Sequence, residues 1–174
     1  MSEPLNSART YEENAEKRIA KEDRPAFHLS SRVGWMNDPN GFSFYHGKYH
    51  MFYQYHPYDS HWGPMHWGHA VSEDLLHWEY LPCAMAPDSP YDPDGCFSGS
   101  ALELGDGRHL IMYTGVIRTL LEDGSTQDIQ RQCLAFGDGI NYTKYEGNPV
   151  MGKKDPLKDG IGGLLQRLDA RQIL

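Results

Sequence analysis

The sequence predicts an all-β fold of the propeller kind, and three features carry that prediction. From Phe27 onward the chain breaks into short runs of alternating apolar residues, "GFSFYHG", "KYHMFYQYH", "HWGHAVS", "SGSALEL", "RHLIMYTGV" and "QCLAFG", separated by Gly, Pro, Asn and Asp. A shift of 60 residues lays "GKYHMFYQ" (Gly47–Gln54) on "GRHLIMYT" (Gly107–Thr114), and "FSFYHG" on "LELGDG", keeping the apolar alternation and the turn glycine. A second echo links "AVSEDLLHWEYLP" (Ala70–Pro82) with "AFGDGINYTKYEGNP" (Ala135–Pro149): strand, acidic turn, aromatic strand, proline. Such a period, with four short strands in each repeat, is that of a propeller blade with long loops.

Residues 1–26 form a polar arm. Within it, "EENAEKRIAKE" (Glu12–Glu22) is rich in helix formers but has almost no apolar face, which predicts a solvated helix or mobile arm ending before Pro25. The partial propeller is expected over 27–150. It opens with "GWMNDPNGF" (Gly34–Phe42), where Asp38, Pro39, Asn40 and Gly41 have the chemistry of a tight turn. That window alone leaves open whether Asp38 shapes the turn or is a carboxylate held up to a ligand. The 60-residue shift places Asp38 on Ser98 of "CFSGSA", so both stand where the first strand of a blade begins, the strand nearest the propeller axis. The hairpins Phe42–Gln54 and Leu102–Thr114 are expected to be the inner pairs of two four-stranded sheets. After "EGNPVMGKKDP" the β texture stops, and residues 151–174 form an atypical tail with Leu164, Leu165, Leu168 and Ile173 at helix-compatible spacing.

A chain of 174 residues is one domain or part of one. Its net charge of −8 and isoelectric point near 5.5 argue against a nucleic-acid or anionic membrane partner, which would repel it. No apolar run approaches the roughly 20 residues needed to span a bilayer, and the amino terminus is polar and charged, so the expected location is the cytoplasm. Cys83, Cys96 and Cys133 are widely spaced and odd in number, which suits reduced structural thiols.

All four tryptophans, Trp35, Trp62, Trp67 and Trp78, fall in one segment together with Tyr49, Tyr53, Tyr55 and Tyr58. Between Phe27 and Ser72 the only residues among Asp, Glu, Lys and Arg are Arg32, Asp38, Lys48 and Asp59. An aromatic, amide-rich and nearly uncharged setting around Asp38 suits a neutral polyhydroxyl ligand whose C–H faces stack on rings. Tyr49, Tyr53 and Trp78, at strand spacing, read instead as core. His56, His61, His66 and His69 lack the tight pair spacing of a zinc site, and they read as loop residues that form hydrogen bonds. Ser98 as a triad serine lacks the G-x-S-x-G elbow. No metal and no cofactor is expected.

The runs "FHLSSRVGWMNDPNGF", "YHMFYQYHP", "WGPMHWGHAVSEDLLHWEYLP" and "GCFSGSA" resemble glycoside hydrolase family 32, the invertases, β-fructofuranosidases and sucrose-6-phosphate hydrolases, over about Phe27 to Val150. The resemblance implies a five-bladed β-propeller, of which this chain holds the first two to three blades, and retaining cleavage of terminal β-fructofuranosides. It assigns Asp38 as the nucleophile. It also places Trp35, Met36, Asn37, Gln54, Trp62, Phe97 and Ser98 around the fructosyl unit. The partner is then a small sugar: sucrose, sucrose 6-phosphate or a short fructan.

Retention requires a second carboxyl group that can protonate the leaving oxygen. The family carries a transition-state aspartate in Arg-Asp-Pro and its acid/base glutamate in Glu-Cys, and neither string occurs here. Arg167 and Asp169 lie near the place expected for the first, without the motif. The chain therefore reads as the opening blades of a propeller followed by a foreign tail, as an interrupted reading frame would produce, and inactive alone. The alternatives are a non-catalytic carbohydrate-binding or partner-completed module, and a fructosyltransferase using the same nucleophile.

Overall fold

The computed structural model describes residues 1–152, so the predicted helical tail and the positions of Arg167 and Asp169 lie outside the described residues. Two four-stranded antiparallel sheets follow one another along the chain. The first takes β1 (Trp35–Tyr45), β2 (Lys48–His56), β3 (His66–Ser72) and β4 (Glu79–Met85) in that order. The second takes β5 (Gly95–Glu103), β6 (His109–Leu120), β7 (Thr126–Gly137) and β8 (Tyr142–Lys144). The two hairpins expected from the repeat are the first pair of strands in each sheet. In the first, Tyr45 pairs with Lys48 across His46-Gly47, both with positive φ (47° and 80°), the two-residue turn whose twist matches the flanking strands.

The blades pack face to face. Phe52, Trp67 and Met85 of the first meet Cys96, Ile111, Tyr113, Cys133 and Tyr142 of the second in one buried cluster. Close approach is possible because residue 41 is glycine. A Cβ there would stand 2.7 Å from the Phe52 ring, 3.1 Å from Trp67 and 3.2 Å from the Ala101 Cβ, at a φ of +50°. Further along the same interface lies a polar seam. His50 Nδ1 is 2.9 Å from His69 Nε2, and His109 bridges Ser43 Oγ (2.9 Å) and the Tyr142 hydroxyl (2.8 Å). The Tyr45 ring stacks on His109 and the Phe52 ring on His69. Burial pushes His50 and His109 down to about 4 and holds His69 well below its ordinary value, so the seam is neutral at pH 7.

The helix differs from the expectation in start and setting. It spans Glu3–Glu16 as α1, with Ser2 as N-cap and a proline in its first turn, and it is docked rather than solvated. Leu5 and Ala8 pack with Val33, Tyr53, Tyr55, Cys83 and Ala86. The third buried residue of the helix is charged: Glu12 receives the Cys83 N–H (2.8 Å), the Tyr55 hydroxyl (3.2 Å) and Arg32 Nη1 (3.0 Å). Desolvation raises the Glu12 carboxyl, and these three donors oppose the rise. A search for apolar periodicity misses this face because a satisfied carboxylate holds its centre. Arg9 of the same helix spans both blades, donating to the carbonyls of Cys83 and Ile140 and to Asn141 Oδ1.

Tyr53 is a core residue as expected, whereas Tyr49 and Trp78 are half-buried. The three cysteines are free and buried, and burial pushes the Cys133 thiol up to about 11.

Candidate functional site

Asp38 sits in an irregularity of β1 that the sheet imposes. Met36 pairs with Tyr55 and Pro39 with Tyr53, so Asn37 and Asp38 together oppose the single residue Gln54. The same defect occurs in the second blade, where Phe97 pairs with Thr114 and Gly99 with Tyr113, leaving Ser98 as the extra residue. A bulge takes a side chain out of the alternation and re-aims it. Here both bulges aim at the same place: Ser98 Oγ donates to Asp38 Oδ2 at 3.2 Å. Both side chains are exposed, and no second partner reaches the Asp38 carboxylate among the described residues. Pro39 has no N–H to contribute to the ladder, which is consistent with a strand start that bulges.

The other residues named from the sequence have different surroundings. Gln54 is buried, and its Nε2 donates to the Cys96 carbonyl (3.0 Å), while Trp67, its cross-strand partner, donates Nε1–H to the Phe97 carbonyl (3.2 Å). These two bonds clamp the strand that carries Ser98 onto the first blade. Phe97 is half-buried and meets the edge of Trp62 at 6.4 Å and 89°. Trp62, on the β2–β3 connection, is 48% exposed. Asn37 is exposed, Trp35 is half-buried opposite His56, and Met36 packs toward the α1 side with Tyr53 and Tyr55. Sequence reasoning missed Arg118, whose guanidinium lies 5.4 Å from the Trp62 ring centroid. It also missed the tie from Trp67 to β5.

The four histidines of the segment His56–His69 have separate surroundings. His61 bonds to Asp59 and His66 to the Pro64 carbonyl, His69 lies in the interblade seam, and His56 Nδ1 is buried without a partner. Among the described residues no group of three or more His, Cys, Asp or Glu is arranged to hold a metal ion. No described helix is long and apolar enough to cross a membrane.

What the geometry can do is present one carboxylate, oriented by a hydroxyl, beside exposed and half-buried rings at one end of two blades. Comparison with known proteins places the chain in a family. Residues 28–160 fit the family model for the glycosyl hydrolases family 32 N-terminal domain. Sucrose-6-phosphate hydrolase of Zymomonas mobilis is 49% identical over 139 residues, which cover 76% of this chain and 27% of the relative. Raffinose invertase of Escherichia coli is 47% identical over 147 residues, covering 83% and 30%. The solved structure of the Bombyx mori GH32 beta-fructofuranosidase BmSUC1 superposes with a TM-score of 0.75 at 45% identity, covering 87% of this chain and 32% of that one. The chain thus spans under a third of the length of these relatives. It belongs to glycosyl hydrolase family 32, and its two sheets are blades from the amino-terminal part of that family's β-propeller.

Proposed function

We propose that Asp38 is the nucleophile of a retaining β-fructofuranosidase whose substrate is sucrose, sucrose 6-phosphate or a short fructan. The observation that carries this reading is the pair of matching bulges that join Asp38 to Ser98. An ordinary turn aspartate would be engaged by the backbone of its own turn, and this one is held by the neighbouring blade. The names of the relatives, sucrose-6-phosphate hydrolase and raffinose invertase, agree with the substrate class. So does the solved complex of a BmSUC1 variant with sucrose.

In this reading the free oxygen of Asp38 attacks the anomeric carbon, a C–O bond to fructose forms, and the bond to the leaving sugar breaks through an oxocarbenium-like transition state. Ser98 fixes the carboxylate for that approach. Trp62 and Phe97 offer ring surface to the sugar, and Asn37 offers an amide to its hydroxyls. The leaving oxygen needs a proton from a second carboxyl, and neither Arg-Asp-Pro nor Glu-Cys is among these residues. The 174-residue chain by itself is therefore a poor hydrolase, since a general acid is typically worth about 10²–10⁴-fold.

A sucrose assay tests this account of the chain. Negligible fructose release is expected. Robust release that Asp38→Asn abolishes would contradict it by revealing a second carboxyl within the chain, with Asp169 the first to replace.

A further inference from the structure

We propose that Arg118 is a positioning residue that holds the Trp62 ring at the sugar face of the site. The proposal rests on the reading of Trp62 as a ring that lines that site. The β5 ladder on β6 ends at Gly95 opposite Val116, yet β6 and β7 run on together through Ile117, Arg118, Thr119 and Leu120, paired with Ile129, Asp128, Gln127 and Thr126. The result is an overhanging two-stranded ribbon at the end of the blade where β5 begins, the end that carries Ser98. A ribbon without a third strand is marginal by itself and needs tethers.

Arg118 supplies them. Its backbone N–H donates to Asp94 Oδ2 at 2.7 Å, and Nε and Nη2 donate to the two Asp128 oxygens at 2.7 and 2.9 Å. A fork-to-fork pair of this kind fixes the plane of the guanidinium. With its N–H edge turned to Asp128, the face remains for the Trp62 ring, 5.4 Å away. Trp62 needs such a partner because it is 48% exposed, lies in the irregular β2–β3 connection and has Phe97 against it only edge-on. The β6–β7 ribbon of one blade thereby braces the β2–β3 connection of the other.

The test is the indole N–H cross-peak of Trp62 in the 15N-labelled 174-residue chain, assigned with Trp62→Phe and followed during a sucrose titration. Arg118→Met is expected to move the Trp62 cross-peak, to leave that of Trp67 in place as a sign of an intact fold, and to weaken sucrose binding by about two- to fivefold. Arg118→Lys, which keeps a cation but loses the fork, is expected to restore part of that affinity. A Trp62 cross-peak and a sucrose response unchanged in Arg118→Met would overturn the proposal. A Trp62 cross-peak that moves with Arg118→Met but never with sucrose would overturn the sugar-lining reading of Trp62, and with it any role of Arg118 in binding, while leaving the contact between the two side chains standing.

Discussion

Ser98 Oγ donates to Asp38 Oδ2 across 3.2 Å, and the two residues are 60 positions apart, each within a bulge at the same place of consecutive blades. The internal repeat and the site are therefore one feature: the same strand defect, used twice, brings a hydroxyl to a carboxylate.

Removing the hydroxyl tests what that bond does. Ser98→Ala is expected to leave the melting temperature nearly unchanged, because the side chain is exposed. It is expected to slow any reaction at the Asp38 carboxylate by about tenfold, the size of one hydrogen bond to a charged group. An equal rate in the variant would show that the bulge alone orients Asp38.

The blade interface makes a sharper demand on Gly41 than on Gly47. Gly41→Ala combines a φ of +50° with a Cβ 2.7 Å from the Phe52 ring, and about 3 kcal/mol of destabilisation is expected. Gly47→Ala has a φ of +80° and open space around it, so only the backbone cost of about 1 kcal/mol is expected. Urea unfolding of both variants separates the contributions. Equal losses would mean that the two blades do not close over Gly41.

Docking of α1 depends on a charge. Glu12→Ala removes the acceptor for the Cys83 N–H and the Tyr55 hydroxyl and one partner of Arg32, which keeps Glu16. Roughly 2–3 kcal/mol of stability should be lost. A change below 0.5 kcal/mol in the same measurement, about the size expected of an exposed surface site, would place Glu12 in solvent.

Acid should open the interblade seam. His50 and His109 accept protons only at about 4, and His69 lies well below 6.5, because burial disfavours the imidazolium and His46, Lys48 and Arg9 add repulsion. The unfolded chain binds these protons from about pH 6.5 downward, so the folded state loses stability between pH 6.5 and 4, by up to about 1.4 kcal/mol per pH unit for each histidine. Glu12 acts in the opposite direction: its carboxyl is raised, and its protonation favours the folded chain as pH falls. One such group does not offset the three seam histidines, to which burial adds His66, lowered to about 4, and His56, also lowered, outside the seam. The melting temperature should therefore fall steadily from pH 7 to 4.5, and less steeply in His109→Gln. A level profile would contradict a neutral buried seam.

What the sequence discloses and what it hides follow from the range of each interaction. The strand pairs and the equivalence of Asp38 and Ser98 were legible because they repeat along the chain, with turn glycines marking the register. The four-stranded blades were legible for the same reason. The docked helix was hidden: Leu5 and Ala8 are too few to draw a stripe, and the next buried residue along the face is Glu12, which reads as solvated until Arg32, Tyr55 and Cys83 are seen around it. Arg118 was hidden because its partners Asp94, Asp128 and Trp62 meet only where the ribbon of one blade crosses the loop of the other. The motif that points to Gln54 does not disclose that its amide is bonded to the Cys96 carbonyl.

The most direct measurement of the central claim uses β-D-fructofuranosyl fluoride, whose fluoride departs without a proton, so that attack by the nucleophile needs no general acid. Mass spectrometry of the 174-residue chain after incubation should find one fructosyl unit bound as an ester at Asp38, with fluoride released. The adduct should be absent in Asp38→Asn. A chain that remains unmodified, or an adduct that survives Asp38→Asn, would contradict the assignment of Asp38 as the nucleophile.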